Sequence, residues 1–319
     1  MQSIFKFLPI YKERPWGGRA ISRAGKSHRL PPRKKIGESW EISDRQGDES
    51  LIKEGIWKGK SIRWLLDEHG SFVMGYAWKK GQRFPLLIKL LDATERLSLQ
   101  VHPPPSVASE LGGDPKAEMW YFVDAKPSAA ILAGLRGGVR REDFEKALHS
   151  QTLEPLIHRI QVQKGDAIFI PSGRIHAIDT GCLILEIQQN SDTTYRLYDW
   201  GRVGEDGRPR RLHVEQALRC IDFADFEPQL IGQNSQEGVR SLVNSEYFRV
   251  EVWNLNQPRF LDEKTPMILH VLGGSLEIAP DSGETQTIER GETVLLAAAM
   301  HRTVPLKDKV ELVVIRCVF

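Results

Sequence analysis

The chain is poor in cysteine, has no long apolar run and leans to neither charge, and each absence removes a class of protein. Its three cysteines, Cys182, Cys220 and Cys317, are odd in number and far apart. They form neither a disulfide framework nor a CxxC pair, which suits a reducing compartment. Cys182, in the run Cys182-Leu183-Ile184-Leu185, reads as a small buried hydrophobe. No run of eighteen apolar residues occurs, so no membrane-spanning helix is expected. The opening MQSIFKFLPIYKER is broken by Lys6 and Pro9 and makes no signal-peptide core, so a cytoplasmic location is expected. Net charge is +2 with scattered basic residues, whereas a nucleic-acid surface gathers them in a stripe. Neither nucleic acid nor membrane is an expected partner. Strand–helix–strand alternation is also missing, which argues against a parallel sheet.

What is present is a soluble globular composition, 40% hydrophobic and 27% charged, in a chain of 319 residues with room for about two domains. Up to about residue 60, Pro15-Trp16-Gly17-Gly18, Pro31-Pro32, Gly37, Gly47 and Gly55 punctuate short strands. Ser61 caps a helix expected to run to about Gly75, with Gly70 read as a glycine stop, and a second helical patch runs from Arg136 to about Ile160, broken by Pro155. A third, short helix is expected over Leu212–Ile221. Glu227–Glu237 is polar and aperiodic and is taken as the boundary between residues 1–235 and 236–319. Beyond it, strands are expected at Phe248–Leu255, Met267–Leu272, Gly274–Ile278, Thr293–Leu296 and Val310–Val318.

The stretch Leu97–Tyr121 carries the chemistry. Leu97, Leu99 and Val101 alternate with Ser98, Gln100 and His102, so Gln100 and His102 share a strand face. Pro103-Pro104-Pro105 stops that strand, and order resumes at Ala117-Glu118-Met119-Trp120-Tyr121 with one carboxylate, Glu118. Some fifty residues on, Lys164–Asp179 reads as a turn, the strand Ala167–Ile170, a Pro171-Ser172-Gly173 turn and His176, a hairpin that aims an imidazole back across a sheet. His102, Glu118 and His176 supply two nitrogens and a carboxylate, a normal set for a catalytic metal that keeps a position open, and Gln100 can add a neutral oxygen. Without thiolates such a set fits zinc; the same residues also describe non-haem iron oxygenases. In the apolar run Pro85–Leu91, Lys89 either reaches a sheet edge or points into a polar lumen, and the second is favoured because the next strand brings Gln100 and His102.

The spacing Gly-x5-Pro-x-Gly-x2-His from Gly165 to His176 matches the second motif of the cupin barrels, in which that histidine commonly binds metal. Together with Gln100-x-His102-Pro103 and Lys116-x-Glu118-Met119-Trp120, the chain resembles the type I mannose-6-phosphate isomerases (phosphomannose isomerases) of the shorter bacterial and archaeal form. The resemblance runs nearly the whole length: Arg14-Pro15-Trp16-Gly17-Gly18, Gly37–Ser43, Pro85–Pro103, Lys116–Tyr121, Gly165–His176 and Ser191–Arg196 occur in order. One departure is the triple proline after His102, where relatives usually carry acidic or amide residues. This bears on substrate preference more than on metal binding.

The resemblance implies a mainly β fold of two cupin-type antiparallel barrels (jelly rolls) with a few short helices. Residues 1–235 would form the metal-binding catalytic unit. RGETVLLAAAMHRTV from Arg290 echoes KGDAIFIPSGRIHAI from Lys164, without its Pro and Gly and with His301 one position early, so 236–319 is expected to be a degenerate second barrel without metal. The implied reaction interconverts mannose 6-phosphate and fructose 6-phosphate through an enediol, with one zinc per chain. Arg196, in the Ser-Asp-x-Thr-Tyr-Arg motif, is the implied active-site residue, its fork of donors suited to developing negative charge. Lys116, Glu41 and a water on the metal are all admissible as general base. Trp16, Glu41, Lys89 and Arg202 are the expected substrate contacts, with Lys89, Lys116 and Arg202 as candidates for the phosphate. A sugar-phosphate-binding bicupin without turnover and an iron-dependent cupin oxygenase are the alternatives.

Overall fold

Strands buried on both faces set the architecture. In Leu86–Ala93 every residue is buried, because Leu86, Ile88 and Leu90 face one side while Leu87, Lys89 and Leu91 face the other, and both sides are covered. Ile36–Ile42 is likewise buried throughout. The structure, a computed structural model, describes residues 2–25, 28–203, 207–261, 264–280, 284–299, 302–304 and 309–318.

Two pairs of antiparallel sheets make two barrels. In the first, a six-stranded sheet runs Ala167–Ile170, Glu118–Ala125, Cys182–Gln189, Leu86–Ala93, Ile36–Ile42, Ile10–Gly18. It faces a five-stranded sheet, Ile157–Gln161, Ala130–Leu135, His176–Ile178, Leu99–Val101, Tyr195–Tyr198. In the second, the six-stranded order is Ile4–Lys6, Thr293–Leu296, Met267–Gly273, Val310–Cys317, Phe248–Leu255, Val239–Asn244. Its partner is the four-stranded sheet Arg259–Leu261, Arg302–Val304, Ser275–Pro280, Gln286–Glu289. The N-terminal strand Ile4–Lys6 thus pairs with Thr293–Leu296 in the second barrel.

The two six-stranded sheets pack back to back. Leu86, Ile88, Leu90, Met119, Leu185 and Ile187 form one continuous core with Val250, Val252, Ile268, Leu295, Val313 and Ile315. Each such side chain contributes on the order of 1.5–3 kcal/mol on burial. The helix Ile62–Met74 adds Ile62, Leu65, Leu66 and Val73 to the same core, capped by Ser61, whose Oγ accepts from the Trp64 N–H.

The barrels and most strand positions follow the sequence expectation, and three local readings are corrected. The Ser61-capped helix reaches Met74, in keeping with its expected end near Gly75, but Gly70 is no stop: the helix only bends at His69, and Trp78 fills the space that Gly70 leaves without a side chain. The patch from Arg136 is helical only over Arg141–His149, followed by a 3-10 turn Glu154–Leu156 and the strand Ile157–Gln161; Pro155 and the β-branched residues beyond it favour the extended state. Ala167–Ile170 and His176–Ile178 are not a hairpin but lie in opposite sheets, so the Pro171–Gly173 turn carries the chain across the barrel wall. His301 lies outside the described residues.

Candidate metal centre

That crossing builds the site. Gly173 sits at φ +89°, the left-handed region that favours glycine, and its N–H donates to the His102 carbonyl oxygen at 2.9 Å. One turn therefore fixes the segments carrying both histidines. His176, opening its strand, lies opposite Gln100, and Glu118 lies opposite Ile170 at the same end of the facing sheet.

The two imidazoles are aimed by the backbone. His102 Nδ1 is 2.9 Å from the Thr193 carbonyl oxygen and His176 Nδ1 is 2.9 Å from that of Arg174. A carbonyl only accepts, so each Nδ1 carries the proton and each Nε2 turns its lone pair inward. His102 Nε2 is 3.2 Å from Glu118 Oε2, and His176 Nε2 is 3.6 Å from Glu118 Oε1. Ligand atoms of all three residues lie within 4.8 Å of one another, the one such cluster among the described residues. No hydrogen bond of good geometry satisfies His102 Nε2 or either buried Glu118 oxygen, although Lys116 Nζ stands 2.9 Å from Oε2. Orphaned buried acceptors facing one point are the signature of a cation site. Gln100 Nε2 is 3.3 Å from His176 Nε2, and the opposite amide orientation would present its oxygen there.

Protonation states agree with that reading. Burial, helped by nearby Lys116, pushes His102 down to about 3, and burial also lowers His176. Burial alone would raise Glu118, but the Lys116 ammonium holds it well below the usual carboxylate range. Neutral imidazoles and an ionised carboxylate are the forms that bind metal.

Gln100 and Lys116 open this cluster into a cavity of about 400 Å³ that also takes in Trp16, Lys89 and Arg196. Lys89 does point into the lumen. Its Nζ is 3.3 Å from Glu186 Oε2 and 3.9 Å from Glu38 Oε2, above the Trp40 ring at 5.2 Å. Glu186 and Glu38 raise Lys89 against the opposing effect of burial. Trp16 and Arg14 arrive through a bulge, since Glu13 and Gly18 both lie opposite Ile36 and the four residues between loop out. A side chain at Gly17 would come within 2.3 Å of the Gly37 backbone nitrogen, which cannot give way. Arg196 donates through Nε to Ser98 Oγ at 3.3 Å and through Nη1 to the Arg211 carbonyl at 3.0 Å. Burial and Arg210 lower its pKa.

Two expected contacts are not brought to the cavity. Glu41 faces the opposite side of its strand, toward the barrel junction, where it accepts from Ser39 Oγ at 2.5 Å beside His28 Nδ1 at 3.9 Å. Arg202 pairs with Asp199 at 2.6 Å and donates to the Arg96 carbonyl outside the cavity. Conversely, Arg14, Ser98, Glu186, Asp192 and Arg210 line the cavity and were not singled out in the sequence, and Glu38 joins them from the Gly37–Ser43 motif. Glu186 had a usable signal, a single charge inside Leu183–Gln189 of the kind that drew attention to Lys89.

Comparison with known proteins is consistent along the chain. Residues 4–131 match the family described as phosphomannose isomerase type I, catalytic domain. The chain is similar to the mannose-6-phosphate isomerase ManA of Bacillus subtilis, 35% identical over 268 residues covering 82% of this chain and 83% of that one. It is also similar to the mannose-6-phosphate isomerase of Streptococcus mutans, 33% identical over 285 residues and 88% of each chain. The crystal structure of the mannose 6-phosphate isomerase from Bacillus subtilis superposes with a TM-score of 0.88 at 33% identity, over 98% of this chain and 99% of that one.

Proposed function

The chain belongs to the type I phosphomannose isomerase family, and from that premise we propose that it is a zinc-dependent enzyme interconverting mannose 6-phosphate and fructose 6-phosphate through an enediol. The observation that carries the reading is the buried His102–Glu118–His176 cluster opening, past Gln100 and Lys116, into a cavity with a cationic wall. Nitrogen and carboxylate donors without thiolate favour zinc, and Gln100 is the candidate fourth ligand. Bound there, the metal would polarise the sugar carbonyl and lower the charge penalty of its enediolate.

The chain's own residues supply the rest. Lys116, buried between Glu118 and the cavity, is the candidate base, which as the unprotonated amine would take the proton from C2 and return it to C1. Arg196 keeps its charge at any working pH and offers donors to the developing negative oxygen or to the phosphate. Lys89, fixed between Glu38 and Glu186, keeps the lumen polar and its charges balanced. Trp16 gives the sugar an apolar wall. Glu41 is distant from this chemistry, which leaves Lys116 the stronger candidate base of the two. Residues 1–235 would be the catalytic unit and 236–319 the supporting barrel, with Ile4–Lys6 lent to the latter's sheet. No helix among the described residues is long and apolar enough to cross a membrane, and a cytoplasmic enzyme is the reading we adopt.

The test is metal analysis of the purified protein joined to a coupled assay on mannose 6-phosphate in deuterated water. One zinc per chain, product formation and solvent deuterium in the product are expected. Binding without turnover or exchange would make it a sugar-phosphate-binding protein; oxygen consumption with bound iron would make it an oxygenase.

A further inference from the structure

Behind the strand that carries Arg196 lies a second, differently built cavity. It measures about 430 Å³ and opens between the helix Arg141–His149, the strand Tyr195–Tyr198 and the start of the helix Val214–Cys220. Its walls are Leu148, Leu197, Leu212, Val214, the Tyr198 ring and Pro209. Arg196 lines the active-site cavity and the next residue, Leu197, lines this one, so the strand Tyr195–Tyr198 stands between the two.

Its rim is charged. Asp199 takes Arg202 at 2.6 Å and Arg210 through Nε at 2.7 Å, so one carboxylate serves two guanidinium groups and the described rim is net cationic. Arg210 lines both this cavity and the active-site cavity, and its neighbour Arg211 accepts from Arg196 Nη1 through its carbonyl. A ligand that pulls Arg210 toward the outer cavity withdraws it from the inner one.

We propose that this cavity binds an amphiphilic anion, an apolar body of roughly ten to fifteen heavy atoms bearing one sulfonate, carboxylate or phosphate, and that occupancy weakens binding of the sugar phosphate through Arg210. The apolar walls take the body, and the surplus guanidinium charge takes the anionic group. Binding free energies are reciprocal, so substrate weakens the amphiphile by the same factor.

The probe is 8-anilinonaphthalene-1-sulfonate, followed by its fluorescence on the metal-loaded protein, with the uncharged N-phenyl-1-naphthylamine alongside. Saturable binding of one sulfonate per chain is expected, with the neutral analogue weaker by about tenfold or more. The filling variants Leu148→Trp and Val214→Trp should abolish binding while leaving kcat/KM without ligand close to wild type. Absent saturable binding, binding unchanged in a filling variant that retains wild-type thermal stability, or equal binding of the neutral analogue would each overturn the site. The coupling arm rests on the isomerase reading: saturating probe should raise KM for mannose 6-phosphate by roughly fivefold or more in the parent and leave it unmoved in the filled variants. An unchanged KM with probe bound overturns the coupling. Loss of isomerase activity in the unliganded parent is a separate result that touches only the functional reading.

Discussion

The two barrels share a strand plan and differ in what fills them. Through pairing, Ile170 lies opposite Glu118 in the first barrel, and Leu296, which echoes Ile170, lies opposite Met267 in the second. Two residues further along, Trp120 pairs with Glu186, whereas Leu269 pairs with Val314. The positions holding the candidate metal carboxylate and a cavity acid in one barrel thus hold methionine and valine in the other. Met267, Leu269, Val271, Leu276, Ile288, Leu296 and Val314 close the second lumen as an apolar core. The first lumen keeps Lys89, Glu38, Glu186, Gln100 and Lys116 around open space. A closed β fold gains enough from its outward face, here the shared core between the six-stranded sheets, to leave one interior polar. The second interior is free to serve packing alone.

The sharpest way to break this comparison is to exchange the paired positions. Glu118→Met should remove the metal and take isomerisation to the assay background while the protein stays folded, since methionine occupies the equivalent place next door. His176→Ala should do the same, and full activity in a metal-free His176→Ala protein would sink the assignment. Next in size, Arg196→Ala should keep the metal, measured by mass spectrometry, and lose about 10²–10³ in kcat; a wild-type rate would remove Arg196 from the mechanism. The reverse exchange, Met267→Glu, buries a carboxylate among aliphatic groups with no cation to meet it. It should cost about 3–5 kcal/mol in denaturant unfolding without adding a second metal, and a second bound metal would show the lumens to be interchangeable.

The smallest expected effect concerns pH. His270 faces the barrel junction, its Nδ1 2.9 Å from Thr293 Oγ1, and burial, with His28 nearby, pushes it down to about 3. Unfolded, it would titrate near the usual imidazole value of about 6.5. Between these values the unfolded chain binds a proton that the folded chain refuses, so this contribution is present in full above about 6.5 and lost as pH falls toward 3. His270→Asn should flatten the fall of Tm over that range relative to the parent, and parallel curves would exclude His270 as a source of acid sensitivity.

Much of the site was legible because its signals are local. Gly165, Pro171, Gly173 and His176 encode one turn and crossing within twelve positions, and the proline after His102 ends a strand whatever surrounds it. What could not be read is which face of a doubly buried strand meets the lumen. Alternation dictates that Glu38 and Glu41 point to opposite sides, but both sides of Ile36–Ile42 are buried, and only packing against the second barrel assigns Glu41 to the junction and Glu38 to the cavity. Arg14 was hidden for a related reason, since it reaches the cavity through a bulge defined by pairing with Ile36 rather than by its own neighbours.

By itself the sequence determined the candidate donor set of His102, Glu118 and His176, the strand plan and the family, because residue types, parity and turn chemistry act over a few positions. Only the tertiary structure decided which lumen stays open and which charges balance one another inside it. Those outcomes depend on contacts between segments far apart in the chain, such as Lys89 with Glu186 and Arg14 with Glu38, whose energies exist only once the sheets have closed.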